Sequence, residues 1–425
     1  MAVQTLPRSP SLPRSPSLPH ALGFAAVLLL VAWFAIRALP GAAYAPRSDD
    51  GYYLHYMRSV QEEGVGVFPS LFEAWNNDDI ISQDPLGKPS WACPPPWRIG
   101  FIVFAAWWAK LFGASLQSLS SLSTASHLAW SAVNWFFARR RLGDVFALLL
   151  GTLCAFSPLL LGLARLALMD NFAVLWVTLS AWLFLELLEA PESWFWQGAF
   201  ACSFTFAILS KELSVFIAGP LAAATLIERF ARRRPLPLGR IALALALPGL
   251  VSGAVFLLAA GGLSPLWTMA KTVLTIPGTR EFSIQYCAGP WYRYLIDYLC
   301  LSPFPTLLGL LGAGALVQRI AEGEWSTAEV YFALLGAALL LEQAPFIKNA
   351  RYMVALELPL RLLALSFCFR IARRVWPARP ALLVGAAVVG LCFLDWQSYH
   401  QLWTDVGGYD PLSVNLLKVR EIIPR

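Results

Sequence analysis

Residues 241–260 read IALALALPGLVSGAVFLLAA, a run of twenty residues that contains no charged side chain. As an α-helix, a run of this length rises about 30 Å and crosses the hydrocarbon core of a bilayer. Working outward from it, other apolar runs predict helices at about 21–38, 115–138, 145–162, 171–188, 194–210, 213–227, 303–318, 328–344, 353–370 and 380–396. The sequence therefore predicts an all-α polytopic membrane protein with about eleven transmembrane helices.

The composition supports a chain that is embedded in lipid. Of its 425 residues, 58% are hydrophobic and 14% are charged, whereas soluble domains carry about 25% charged residues. The net charge of +6 does not indicate nucleic acid, because the lysines and arginines stand in short blocks between the apolar runs. We therefore expect membrane lipids as partners and no nucleic acid.

The chain divides into a membrane domain and two tails. Residues 1–20 contain LPRSPS twice, and such a Pro/Ser tract is predicted to be a disordered cytoplasmic tail. The transmembrane domain is predicted at 21–396, with two long outer loops at about 40–114 and 261–302, and an outer tail follows at 397–425. Cys93 and Cys287 fall in the two outer loops, and an oxidising compartment would allow a disulfide bridge between them.

The segment 97–112 decides the orientation of everything that follows it. As a helix it would rise about 24 Å, which is short of the hydrocarbon core. If it lies in the interface and the N-terminus is cytoplasmic, twelve arginines in 139–141, 228–240 and 370–379 fall inside. Because positive charge is retained on the cytoplasmic side, we predict an interfacial helix here. Most of the charged residues that could take part in catalysis or binding then lie at the outer face of the membrane.

The adjacent carboxylates Asp49 and Asp50, near the start of the first outer loop, are the first candidates for chemistry. Such a pair can act as a base or hold a cation, and a solvated helix cap is the alternative. Arg98 follows the same loop, where it could bind a lipid phosphate or merely extend to the headgroups.

Two short junctions between apolar runs also carry charges. Arg165 and Asp170 lie in ARLALMDN at 164–171, which joins two spans through almost no loop, and Lys211 and Glu212 stand between the next two spans. Charges held at a membrane boundary are usually paired. For both junctions, structural pairing is therefore an alternative to direct chemistry.

Lys348 and Arg351 open a late helix on the outer side, against the positive-inside tendency. Three residues apart, they are predicted to share one helical face that binds an anionic phosphate or lipid headgroups. Walker A, HExxH and GxSxG motifs are absent from the sequence, and the four histidines are scattered. No cofactor is therefore predicted, and nothing indicates a divalent metal, although one could be bound.

Together these residues resemble the GT-C glycosyltransferases, in particular the protein O-mannosyltransferases and the lipid A aminoarabinose transferases. Asp49-Asp50 followed by Tyr53 is similar to the acidic pair and tyrosine of that family, with Asp50 where the family usually has Glu. The junction 164–171 is similar to the family's Arg-x-x-x-x-Asp element and is the most specific match. The other similar segments are PPWR at 95–98, LSKE at 209–212 and NARY at 349–352.

The resemblance implies a GT-C type bundle that moves a single sugar from a polyprenyl-phosphate donor to a hydroxyl or amine of a lipid, glycan or protein acceptor. The reaction is implied to be inverting and to take place on the non-cytoplasmic face of a bacterial inner membrane, with Asp49 as the base and Asp50 beside it. The residues implied to bind the donor phosphate or substrate are Tyr53, Arg98, Arg165, Asp170, Lys211, Glu212, Lys348, Arg351 and Tyr352.

Two other classes of protein stay open at this point. A non-enzymatic flippase or transporter predicts charges at mid-membrane in broken helices, whereas these charges lie at one edge. A glycan polymerase or ligase shares the external arginines, and only the resemblance of 164–171 separates it from a single-sugar transferase.

Overall fold

The computed structural model describes residues 18–37, 49–79, 94–279, 289–323, 326–343 and 348–405. Every regular element in these ranges is helical, as the composition predicts. Most of the tract 1–20, both cysteines of the candidate bridge (Cys93 and Cys287) and most of the tail 397–425 lie outside the described residues.

Most helices follow the predicted apolar runs, and the two predicted loops, 40–114 and 261–302, also contain helices. The N-terminal part contains α1 (Leu18–Arg37), α2 (Asp49–Glu63) and α3 (Phe68–Asn76). The next helices are α4 (Ile99–Phe112), α5 (Leu116–Leu142), α6 (Asp144–Ala155), α7 (Pro158–Ala164), α8 (Asp170–Glu189), α9 (Trp194–Ser210), α10 (Ala218–Leu226) and α11 (Leu238–Ala259). The C-terminal part contains α12 (Leu263–Thr279), α13 (Arg293–Leu301), α14 (Pro303–Ala321), α15 (Thr327–Glu342), α16 (Glu357–Val375) and α17 (Pro380–Tyr399). Short 3₁₀ helices at Glu212–Ile217 and Ala350–Leu356 precede α10 and α16.

Within the described residues, six continuous helical stretches are long and apolar enough to cross a bilayer, or up to eight if each of two bent helix pairs is one span. α9 and α15, with 17 and 16 residues, fall just below the usual length, as does the apolar part of α1 at Leu18–Trp33. The multi-pass helical architecture is therefore confirmed, and the number of about eleven spans stays a prediction.

Two bends distinguish the structure from a row of straight helices. α4 and α5 meet at 111° beside Gly113, whose φ of 86° lies in the left-handed region that favours glycine. α4 by itself has 14 residues and is too short to span a bilayer. Its position in the interface stays a prediction. The single helix predicted at 145–162 is broken into α6 and α7, which are bent by 55° at Ser157 and Pro158.

Small residues bring α14 and α16 into close contact. A Cβ atom added to Gly309 would lie 2.6 Å from the carbonyl oxygen of Leu360, and one added to Gly312 would lie even closer to that of Leu363. Glycines of this kind let two helix backbones approach in a membrane, where packing and not water drives association.

The two ends of the bundle carry different charge clusters. At one end, Arg140 and Arg141 reach Glu186 near the end of α8, at 3.2 and 3.3 Å. Arg234 donates to the carbonyl oxygen of Glu189 at the same end. The opposite end of α8, a helix of 20 residues and so about 30 Å long, begins with Asp170. The arginine-rich end and the candidate site are thus separated by the thickness of a bilayer.

Several segments that are far apart in the chain are in contact. Asn76, at the end of α3, donates from Nδ2 to the carbonyl oxygen of Pro265 in α12 at 3.0 Å. The ring of Trp403 covers Gly162 of α7 so closely that no Cβ atom could be added there without displacing it. These contacts link the 68–76 helix to α12, and the C-terminal residues to α7.

Candidate functional site

An ion pair between Lys211 and Asp170 lies at the centre of the site. Asp170 begins α8, where the positive end of the helix dipole favours a carboxylate. Lys211 follows α9 in extended backbone, and its Nζ donates to Oδ1 of Asp170 at 2.7 Å and to the carbonyl oxygen of Arg351 at 2.9 Å. Both side chains of the pair are buried, so this polar connection between α8, α9 and the 350–356 segment is protected from solvent.

Arg351 connects this centre to the acidic pair. Asn349 caps the 3₁₀ helix Ala350–Leu356 by accepting from the backbone N–H of Arg351 at 3.1 Å, which positions the side chain that follows. Nη2 of Arg351 donates to Oδ2 of Asp49 at 3.0 Å. The ring of Tyr352 lies 5.1 Å from the Lys211 ammonium and 5.9 Å from the Arg351 guanidinium, at cation–π distance from both.

Arg98 and Tyr53 form a second buried contact in the site. The guanidinium of Arg98 donates from Nη1 to the hydroxyl of Tyr53, and that hydroxyl donates to the sulfur of Met169 at 3.5 Å. Nε of Arg98 lies 3.6 Å from Oε2 of Glu212. Burial raises the pKa of Tyr53 well above its ordinary value, so the phenol stays protonated. Arg98 therefore does not extend to the headgroups; it is held inside the protein.

Asp50 is the most enclosed acid of residues 49–79, with 2% of its surface exposed. Its Oδ1 has no hydrogen-bond partner among the described residues. Burial, and then the neighbouring charge of Asp49, raise the pKa of its carboxyl to about 7. Asp49 and Asp50 therefore differ, because Asp49 is held in an ion pair and Asp50 is half-protonated near neutral pH.

Two predicted site residues make their described contacts elsewhere. Nη1 of Arg165 donates to the carbonyl oxygen of Trp403 at 2.7 Å, while Asp170 pairs with Lys211, so the two charges of the 164–171 junction do not simply neutralise each other. Lys348 precedes the helix cap, and its Nζ lies 5.7 Å from the ring centre of Tyr294. The prediction that Lys348 and Arg351 share one helical face is wrong, because the backbone at Asn349 is extended.

A buried charged group behind the site was missed in the sequence analysis. Arg361 of α16, with 1% of its side chain exposed, donates to Glu357 at 2.7 Å and to Asp395 of α17 at 2.8 Å. Ser302, between α13 and α14, donates to the other oxygen of Asp395 at 2.7 Å. An arginine inside an apolar run is the signal that could have revealed it, because charges within a span are paired or functional. The group links α16, α17 and the turn at Ser302, and Glu357 directly follows the 350–356 helix in the chain.

The described residues hold no group of three or more His, Cys, Asp or Glu side chains arranged to bind a metal ion. The site instead offers cations from three segments, each already near a carboxylate. Lys211 and Arg351 are cations of a kind that can bind an anion, and the carboxylate of Asp49 is joined to them by hydrogen bonds.

The chain is similar to known proteins in part of its sequence and in its fold. Residues 98–251 match the family model described as dolichyl-phosphate-mannose-protein mannosyltransferase. The comparison with curated proteins gives no match. ArnT from Cupriavidus metallidurans bound to undecaprenyl phosphate has a similar structure, with 14% identity, coverage of 96% of this chain and 78% of that chain, and a TM-score of 0.56. ArnT from the same organism in the apo state is 15% identical, with coverage of 95% of this chain and 77% of that chain, and a TM-score of 0.54.

A third similar structure is the Archaeoglobus fulgidus oligosaccharyltransferase in complex with zinc and sulfate. It is 14% identical, with a TM-score of 0.53, and the match covers 88% of this chain but 53% of the larger protein. The resemblance that the sequence motifs indicated is thereby confirmed, and the fold of this chain is that of the GT-C glycosyltransferases.

Proposed function

We propose that the protein is a glycosyltransferase that moves a single sugar from a polyprenyl-phosphate donor to an acceptor hydroxyl or amine. The observation that carries the proposal is the continuous chain Asp170–Lys211–Arg351–Asp49, which joins two cations to a carboxylate in one enclosed site. The match of residues 98–251 to mannosyltransferases and the fold shared with an ArnT that binds undecaprenyl phosphate support it.

The cations meet the needs of the leaving group. Departure of a polyprenyl phosphate leaves negative charge on its oxygens, and donors held in place beforehand stabilise that charge most effectively. Lys211 directs two of its three N–H groups to Asp170 and to the carbonyl oxygen of Arg351, which leaves one for a ligand. The guanidinium of Arg351 offers a planar set of donors beside it, a geometry suited to phosphate oxygens.

Asp49 is the proposed base. Its carboxylate removes the proton from the acceptor group, the acceptor atom forms a bond to the anomeric carbon, and the bond from that carbon to the phosphate oxygen breaks. The electron pair leaves with the polyprenyl phosphate. Attack on the face opposite the leaving group inverts the anomeric centre.

The distribution of charge supports a site on the non-cytoplasmic face. The arginine-rich loops lie at the other end of α8, a helix of 20 residues that is about 30 Å long. Since such loops are retained in the cytoplasm, the site faces outward. We accordingly propose that the protein is a multi-pass protein of a bacterial inner membrane with its active site toward the periplasm or cell exterior.

The group around Arg361 would suit a transporter better than a transferase, because it places charges within spans. Its charged side chains are 1–2% exposed and are paired with one another, so they are not accessible to a cargo. Sugar transfer by the purified protein in liposomes, with polyprenyl-phosphate sugars as donors, tests the proposal. Mass spectrometry of membrane glycolipids with and without the gene identifies the product. Movement of the lipid between leaflets without transfer would contradict the proposal.

A further inference from the structure

We infer that Arg98 and Glu212 together recognise a hydroxyl group of the donor sugar, a specificity role that rests on the proposed function. Nε of Arg98 and Oε2 of Glu212 face each other at 3.6 Å. Both atoms are enclosed, and neither has a hydrogen-bond partner among the described residues. At this distance the N–H and the oxygen do not satisfy each other, and buried polar atoms left in this state indicate a missing partner.

A hydroxyl group fits this pair better than a phosphate does. It donates to the carboxylate oxygen and accepts from the guanidinium N–H at the same time. Separating the two atoms by about 1 Å more would admit it at ordinary hydrogen-bond lengths. A phosphate oxygen can only accept, and the carboxylate of Glu212 would repel it. The pair therefore selects the sugar and not the charged part of the donor.

The position of the pair agrees with this role. Glu212 directly follows Lys211, the proposed phosphate ligand, so that a sugar attached to that phosphate lies within reach of the next residue. The segments that carry the pair are in direct contact. A Cβ on Gly100 would lie 2.9 Å from Oγ of Ser210 and 3.1 Å from the backbone of Leu209. The Arg98 guanidinium is further held by the hydroxyl of Tyr53, so the donor and acceptor atoms are positioned before the sugar arrives.

The test compares the binding of three lipids to the purified full chain: undecaprenyl phosphate, and the same lipid carrying mannose or glucose. The wild type should bind at least one sugar-loaded lipid more tightly than the bare lipid. Glu212→Ala should lower that preference roughly tenfold to a hundredfold, as expected when a hydrogen bond to a charged group is lost. Affinity for the bare lipid should stay unchanged, which also shows that the variant is folded.

Glu212→Gln keeps one acceptor oxygen and should retain part of the preference, and Arg98→Lys should reduce it because the lysine lacks the Nε donor. Glu73→Gln, on the exposed side of α3, is the matched control and should bind all three lipids as the wild type does. Equal loss of bare and sugar-loaded lipid in Glu212→Ala, no loss at all, or a wild type without preference would overturn the inference. A wild type that binds none of the lipids would instead contradict the proposed function.

Discussion

Arg351 donates a hydrogen bond of 3.0 Å to the carboxylate of Asp49, although 302 residues separate them in the chain. The proposed base, Asp49, is therefore hydrogen-bonded to Arg351, a proposed ligand of the donor phosphate. A carboxylate held by a guanidinium is a weaker base than a free one, because the ion pair favours the ionised form. A donor phosphate that draws Arg351 toward itself would loosen Asp49, so we expect the donor to bind before the acceptor is activated.

Asp49→Asn should abolish sugar transfer while the protein stays folded and binds the donor. The amide keeps the size of the side chain and removes the base, and such bases contribute roughly a hundredfold to ten-thousandfold to a rate. The measurement is transfer from a polyprenyl-phosphate donor, with donor binding determined on the same preparations. Asp50→Asn is the matched comparison and should do less. Transfer near the wild-type rate by Asp49→Asn would refute the assignment, and inactivity of Asp50→Asn alone would move the role to the second acid.

Arg351→Ala and Lys211→Ala should each weaken the binding of polyprenyl phosphate by about 1.5–3 kcal/mol, because each loses a charge-assisted hydrogen bond to the ligand. Equilibrium binding of the lipid to purified, monodisperse variants measures this loss. Lys110→Ala removes an exposed charge near the end of α4 and serves as the control. Wild-type affinity in both site variants would mean that the two cations are structural.

Asp50 should make stability depend on pH. Its pKa rises from 3.8 to about 7 on folding, first through burial and then through Asp49. Between pH 3.8 and about 7, the folded protein therefore binds one more proton than the unfolded chain does. The stability that comes from the protonated carboxyl is lost as the pH rises through about 7. Asp50→Asn mimics the protonated form, so its thermal midpoint should improve relative to the wild type between pH 5 and pH 8. An identical pH dependence in the two proteins would argue against a buried proton on Asp50.

The orientation of the bundle should place 232–234 and 373–374 in the cytoplasm and the segment from Lys271 to Tyr298 outside. A membrane-impermeant thiol reagent applied to intact cells checks this on a Cys-depleted background. Lys271→Cys should react from outside, and Arg233→Cys should react only after the membrane is opened. Labelling of position 233 in intact cells would reverse the proposed sidedness of the site.

Arg361→Met should destabilise the protein by about 3–5 kcal/mol, because it leaves Glu357 and Asp395 buried without their cation. Neutralising both acids in the same chain should recover part of this loss. Arg240→Met, which removes an exposed pair with Glu192, should cost about 0–1 kcal/mol. The measurement is thermal or denaturant unfolding in detergent. A triple variant no more stable than Arg361→Met would show that unpaired charge is not the cause.

The apolar runs were sufficient to predict the helical membrane fold, because the bilayer requires that every backbone polar group within it be satisfied along a helix. Bends were harder to predict. The break between α6 and α7 falls inside one apolar run, where hydropathy is continuous and only Ser157 and Pro158 indicate a turn.

The residues of the site were predictable as charged positions at one membrane face, but their partners were not. Asp170 lies five positions from Arg165 and pairs instead with Lys211, because helix packing decides which charges meet. The same limit applied to Arg361 and Asp395, whose pairing depends on the contact between α16 and α17. The local sequence does not show which residues of different helices will lie close together.

The contact of Trp403 with the 162–165 region has a consequence for biosynthesis. Arg165 hydrogen-bonds a carbonyl group that is made 238 residues later, and the adjoining ring covers Gly162. The 164–171 junction therefore gains this support only after α17 and Trp403 have been made. A nascent chain that stalls earlier can insert most of its spans, yet it cannot finish the centre that they surround. The contact thus requires synthesis of the chain through Trp403, and we expect chains that end before this residue to be inactive in the membrane.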